Sequence, residues 1–168
     1  MDVATRQYGA MSDRIEPRAW LPDGFAHPER VELTSGYHLR PIRESDVDID
    51  YPAVMGSRDR LWNLYGDAWG WPPATMSYDA DREDLARHER EIAAHETFNY
   101  AVLNADETRL VGCVYIDPHD EHDAEASWWV VDDLVGSTLE FELDSFVPPW
   151  LRTTWGFASV HYTLDPAV

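Results

Sequence analysis

The chain has 168 residues, with 32 Asp and Glu against 13 Arg, no Lys, and a formal charge of −19. The missing lysine excludes Schiff-base chemistry on a lysine amine. The absence of a basic cluster excludes a phosphate-tracking nucleic-acid binder, because such binding rests on cationic side chains that neutralise the backbone. A chain of this size makes one domain, able to bury about 70% of the surface its unfolded form exposes. Arginine-only usage reads as genome base composition rather than a salt-adapted surface. A single cysteine, Cys113, allows no intrachain disulfide and fits a reducing cytoplasm. Neither a signal-peptide apolar core nor a run approaching 18 apolar residues is present, so no membrane association is expected.

Residues 1–18 are polar and without periodicity, which predicts a flexible segment ahead of one domain over residues 19–168. Residues 31–33, a turn at 34–36 and residues 37–42 predict a first hairpin. Ser45 is placed to cap a helix with Asp46 and Asp48 in its first turn, Pro52 inside it and Gly56 at its end. Ser57 reads as a second cap before a short helix over 58–65, and residues 66–73 as an aromatic loop. Asp79 or Asp81 opens the longest helical pattern, running to about Glu96, with Leu85 and Ile92 on one face and a Glu83–Arg87 pair at i,i+4.

The most explicit stretch follows. Phe98–Leu103, a polar turn at 105–108 and a strand over 109–116 form a hairpin, and residues 124–131 continue it as a third antiparallel strand. In the second strand Val111, Cys113 and Tyr115 share one face and Leu110, Val114 and Ile116 the other, as in a strand covered on both sides. Leu139, Leu143, Phe146 and Trp150 then mark a helix face, which Pro148-Pro149 should kink or split, and residues 156–162 read as a last strand.

Three groups of polar residues compete for a chemical role. The run His119-Asp120-Glu121-His122-Asp123 reads as a solvated turn rather than an ion site, because nothing upstream supplies rigid ligand spacing. His88, Glu91 and His95 lack the metalloprotease spacing, since Ile92 stands where the second histidine would be, and read as surface. Cys113, mid-strand with no cationic neighbour in sequence, reads as a buried inert thiol. No metal is expected.

The order of elements resembles the GNAT acyltransferase superfamily over roughly residues 33–162, in a short bacterial branch. The resemblance is carried by Leu39-Arg40-Pro41-Ile42 with Asp46 close behind, by Leu110-Val111-Gly112, and by Ala124-Glu125-Ala126-Ser127-Trp128-Trp129-Val130. It implies an α/β (α+β) fold in which a mixed, mainly antiparallel central sheet has helices on both faces and is truncated after the fifth strand. The sheet is expected to splay after the family's fourth strand. An acyl-CoA pantetheine arm would pair along Trp129, Val130 and Val131, and the pyrophosphate would lie at Gly136, Ser137 and Thr138. Only one glycine of the family's loop pattern is kept, Asp133 replaces an amide or cationic side chain, and Arg152 is the first base downstream.

The same resemblance makes Glu125 the catalytic base and acetyl-CoA the cosubstrate. Tyr65, Trp69, Trp71 and Tyr115 would contact a small-molecule amine substrate, since aromatic walls suit an apolar or cationic ligand. Core packing or a homodimer contact would account for the same aromatics. Two functions follow: a cytoplasmic N-acyltransferase acting on a small amine, or a non-catalytic module of the same fold that binds a small molecule or protein and has lost CoA binding.

Overall fold

The computed structural model describes residues 19–164. The polar segment over residues 1–18 lies outside the described residues. Six strands form one sheet in chain order: β1 (Val31–Glu32), β2 (His38–Pro41), β3 (Phe98–Leu103), β4 (Leu110–Asp117), β5 (Ala124–Val130) and β6 (Val160–Tyr162). All neighbours are antiparallel except β5 and β6, which are parallel. That last pair needs a crossover, and α4 (Thr138–Thr153) supplies it. Three helices, α1 (Val47–Gly56), α2 (Arg58–Trp69) and α3 (Tyr78–Ala93), fill the connection between β2 and β3.

The central hairpin and the third strand lie where alternation predicts them. Leu110, Gly112, Val114 and Ile116 face α4, together with Phe98 and Tyr100. The Tyr100 ring meets Trp150 of α4 edge-on at 5.3 Å. Val111, Cys113, Tyr115 and Asp117 face the three-helix layer. The paired tryptophans divide between the layers. The Trp128 indole donates to Asp144 of α4, and the Trp129 indole donates to the Tyr115 hydroxyl on the other face.

Several helix limits differ from their sequence expectations. Ser45 lies inside a 3-10 turn, Glu44–Asp46, whose N-cap is Arg43, and α1 follows directly. Ser57 makes no side-chain cap, because its hydroxyl accepts from the Asp132 amide at the end of β5. The expected aromatic loop begins four residues late: α2 runs through Gly66 to Trp69 and stops at Gly70, whose φ of 61° is left-handed. A Cβ at Gly66 would come within 2.8 Å of the Trp62 ring, so the glycine lets that exposed ring lie against the helix. Helix α3 is capped by Ser77, whose hydroxyl accepts from the Ala80 amide, and Arg87 pairs with Asp84 and Glu91 rather than Glu83. Helix α4 is neither split nor ended by Pro148-Pro149. Pro149 is exposed and Pro148 half-buried, so the carbonyls they leave without amide donors lie towards the solvent side. The last strand is shorter than expected, since Gly156 turns the chain at φ 77°.

Candidate functional site

The sheet opens where β5 leaves β6. The two strands pair only over Ala124, Glu125 and Ala126, opposite Val160, His161 and Tyr162, and Thr163 adds one bond to the Ala126 carbonyl. The remainder of β5 stays paired with β4 through Val130. The Val131 amide donates to the Val111 carbonyl, so by alternation the backbone groups of Ser127, Trp129 and Val131 point at β4 and those of Trp128 and Val130 point into the gap. Of the three residues expected along an extended ligand, Val130 therefore presents its backbone to the opening. Its carbonyl already accepts from Arg60 of α2, while its amide faces the gap.

Beside the gap, β4 and β5 form an unusually close strand pair. An ideal Cβ at Gly112 would stand 2.1 Å from the Trp129 carbonyl oxygen, a distance that only a missing side chain permits. Gly112 lets β4 approach β5 directly beside the open edge.

The loop after β5 holds its own amides. Leu134 N–H donates to the Val131 carbonyl, Val135 to Asp132 and Ser137 to Leu134, and the Gly136 N–H donates to the Glu140 carboxylate. Ser137 caps α4 by accepting from the Glu140 amide. Thr138 is the first residue of that helix. The arrangement is an anion-binding helix start whose anion is a side chain of the same helix. The two acids of the loop are individually neutralised, Asp132 by Arg60 at 2.6 Å and Asp133 by Arg109 at 2.7 Å. Arg152 sits in the last turn of α4, at the far end from the loop. Neither Arg60 nor Arg109 is near the loop in sequence, so no local pattern could have paired them.

On the three-helix face a cavity of about 420 Å³ runs along β4, lined by Trp69, Trp71, Tyr115, Cys113, Asp117 and Asn99 among others. All four aromatics expected at a substrate site meet here. Tyr65 stacks on Trp69 at 4.5 Å, Trp69 meets Tyr115 edge-on at 5.3 Å, and Trp71 lies 6.3 Å from Trp129. Tyr65 is fully buried behind the wall that Trp69, Trp71 and Tyr115 present. Burial, followed by the neighbouring Cys113 and Tyr65, pushes the Tyr115 hydroxyl well above its ordinary range, so it keeps its proton. Burial does the same to the Cys113 thiol, in keeping with an inert group.

Three carboxyls in this wall were not legible as a set. Asp50 comes from α1, Asp81 from α3 and Asp117 from the end of β4. Burial, then the charge of Glu125, raises Asp117 to about 6. Burial raises Asp81 to about 6 and drives Asp50 well up, with Asp81 adding to the effect on Asp50. Against the desolvation of its burial, hydrogen bonds from His88 and Arg87 hold Asp84 below the usual carboxylate range. His88 is thus part of the cavity wall and not free surface, with 17% of its side chain exposed. His95 likewise contacts the His27 ring at 3.2 Å.

Glu125 lies on the same face as Asp117 and directly opposite it across the strand pair, and its carboxylate accepts from the Thr163 hydroxyl. The turn at 119–123 is solvated at Asp120 and Glu121 and anchored at its end: the Asp123 carboxylate accepts from the Ala158 and Ser159 amides, and the His119, His122 and His161 rings lie 4.9 to 5.7 Å apart. Among the described residues no group of three His, Cys, Asp or Glu is arranged to hold a metal ion. Among them, too, no helix is long and apolar enough to cross a membrane.

No protein-family model matches the sequence, and no curated protein matches it. Solved structures do resemble the fold. A probable acetyltransferase is similar with a TM-score of 0.62 and 14% identity, over 79% of this chain and 72% of the other. A ribosomal L7/L12 alpha-N-protein acetyltransferase in complex with coenzyme A follows at 0.57 and 15%, over 74% and 68%. A spermidine N-acetyltransferase from Vibrio cholerae, in complex with CoA and spermine, stands at 0.55 and 15%, over 77% and 71%. At this identity the likeness establishes the fold, which is that of the GNAT acetyltransferases.

Proposed function

From the premise of a GNAT fold, we propose that the chain is a cytoplasmic acyl-CoA-dependent N-acyltransferase that transfers an acetyl group from acetyl-CoA to a small amine. The observation that carries this reading is an aromatic and acidic cavity on β3 and β4, immediately beside β5, the strand whose outer edge is open. The pantetheine arm of the donor lies in the gap, pairing with the backbone of Trp128 and Val130, and the Val130 amide receives the thioester oxygen as it becomes an oxyanion. The amine enters between Trp69, Trp71 and Tyr115. Its ammonium proton passes to the Asp117–Glu125 carboxylate pair, the nitrogen bonds to the carbonyl carbon, the carbon–sulfur bond breaks, and the leaving CoA thiolate takes up the second nitrogen proton, giving the amide and the free thiol.

Asp117, raised to about 6, sets the sign of the pH dependence. As a base it must be deprotonated, so kcat/KM rises with pH through about 6. Asp117→Asn is expected to lower kcat/KM by about 100-fold, near 2.7 kcal/mol in the barrier, and to remove the limb near 6. Glu125→Gln takes away the charge that raises Asp117, so the limb moves to lower pH. A pH–rate series on native and variant chains checks both, and an unchanged profile in Asp117→Asn sinks the assignment.

A second reading, a binding module of this fold that does not transfer acyl groups, is favoured by Glu140 holding the Gly136 amide. Calorimetric titration with acetyl-CoA separates the two. Binding with Kd on the order of 10 μM supports transfer, and no heat at about millimolar ligand supports the module. Glu140→Gln removes a carboxylate from the phosphate position and is expected to tighten acetyl-CoA by about tenfold in the same titration.

A further inference from the structure

The transfer reaction uses one end of the cavity, and the other end is built for something else. Beside Cys113, Asp50 and Asp81 face each other from α1 and α3, with 3% and 1% of their surface exposed. Neither forms an ion pair among the described residues, and Asp81 Oδ2 has no hydrogen-bond partner there. On the sheet side Asn99, 3% exposed, lines the same cavity, and its Oδ1 also has no partner. The guanidinium in this wall, Arg87, is committed to Asp84 and Glu91. Asp50 and Asp81 hydrogen-bond to each other, which leaves Asp81 Oδ2 and Asn99 Oδ1 as two buried acceptors in the same cavity without a donor, each costing free energy until something fills it. Cys113 and Asp117 are four residues apart on β4, so the acid pair and the proposed base stand about 13 Å apart along the strand.

Resting on the amine-acceptor reading above, we propose that Asp50, Asp81 and Asn99 form a subsite for a second cationic group, so that the acceptor is a linear diamine or longer polyamine. One alkylammonium offers three N–H donors to the oxygens of Asp50, Asp81 and Asn99. The methylene chain runs past Trp69, Trp71 and Tyr115, whose faces suit both apolar carbon and positive charge. The distal amine then reaches the Asp117 end in the uncharged form that can attack. A monoamine can fill one end or the other, and only a molecule with two separated nitrogens satisfies both.

The acid pair adds a second signature. Burial, then the neighbouring Asp81, keeps a proton on Asp50 near neutral pH, while burial raises Asp81 only to about 6; Asp46, Asp84, His88 and Cys113 are other ionisable groups bearing on the pair. A cation seated against the pair displaces that proton, so binding releases protons.

Calorimetric titration of the full chain with 1,4-diaminobutane, spermidine and butylamine, without acyl donor, tests the proposal. The diamine is expected to bind at least tenfold more tightly than butylamine, with heats at pH 7 that change with buffer ionisation enthalpy as proton release requires. The preference is expected to vanish in Asp81→Asn and to shrink in Asn99→Ala, which keeps the test valid if one variant fails to fold. Equal affinities for diamine and monoamine in the native chain, or a preference that survives both variants, overturn the subsite. A separate assay of the same amines with acetyl-CoA keeps the outcomes apart: diamine binding without acetylation removes the transfer reading and leaves the subsite, whereas acetylation of monoamines and diamines alike removes the subsite and leaves transfer.

Discussion

Replacing Arg40 with alanine is expected to lower stability by about 4 kcal/mol, since breaking a buried ion pair leaves an uncompensated charge in the interior. Arg40 and Asp46 are 6% and 5% exposed. The guanidinium grips both carboxylate oxygens of Asp46 at 2.8 and 2.7 Å and donates to Glu107 at 3.0 to 3.1 Å. Glu107 also meets the buried His38 ring at 2.8 Å, and Asp46 accepts from the Arg43 amide at 2.8 Å. One side chain therefore ties β2 to the start of the helical layer and to the β3–β4 turn. The hydrogen bonds from Arg40, then His38, hold the Glu107 carboxyl down at about 2. Denaturant melts should show the midpoint falling with an unchanged slope, and the thermal midpoint should drop by roughly 10 °C. Glu107→Ala should cost clearly less, because its side chain is 31% exposed and solvent replaces the lost partner. A loss under about 1 kcal/mol for Arg40→Ala would mean that Asp46 reaches water.

The second large effect is expected at Gly112. A methyl group there meets the Trp129 carbonyl oxygen at 2.1 Å, the Trp129 carbonyl carbon at 3.2 Å and the Val130 Cα at 3.3 Å. All three are backbone atoms, so no rotamer can yield and the strands must part. Overpacking of this kind costs about 3 kcal/mol. Parting β4 from β5 also shifts Trp129 and Val130, so Gly112→Ala is expected to weaken acetyl-CoA binding by more than its stability loss explains. Melts and donor titrations on the same preparation check this. A variant with native stability and native donor affinity would show that the strand pair has room to relax, which the close approach denies.

The two effects explain motifs that the sequence displays without a reason. Leu39-Arg40-Pro41-Ile42 followed by Asp46 is a recognisable pattern, and its content is a bidentate ion pair between a strand and the turn that follows it. Leu110-Val111-Gly112 is another, and its content is a strand contact too close for a side chain. The central hairpin was legible because a period of two over Phe98–Leu103 and the following strand states which residues face which layer. The clustering of Tyr65, Trp69 and Trp71 was visible as composition, and their contact with Tyr115 is a matter of packing.

Other features depended on partners distant in the chain. Asp50, Asp81 and Asp117 lie on three separate elements, and in sequence each looks like an ordinary surface acid. What sets them apart is desolvation in one cavity, with Asp50 against Asp81 and Asp117 against Glu125, which shifts proton affinity and cannot be read from local pattern. The arginines that neutralise Asp132 and Asp133 come from α2 and from the β3–β4 turn, at separations of 72 and 24 residues. Helix α4 survives two prolines because its packing face, Leu143, Val147 and Trp150, stays continuous while Pro149 turns outward.

By itself the sequence determined the strand faces, the absence of a lysine amine for chemistry, and the order of elements that points to this fold. These follow from short-range periodicity and composition, which act before any tertiary contact forms. Only the tertiary structure decided where the sheet opens, that Glu140 occupies the amide position of the loop, and that two buried acids and a half-buried third share one cavity. Each of those is a matter of which groups lose their water together, and that is set by packing between elements far apart in the chain.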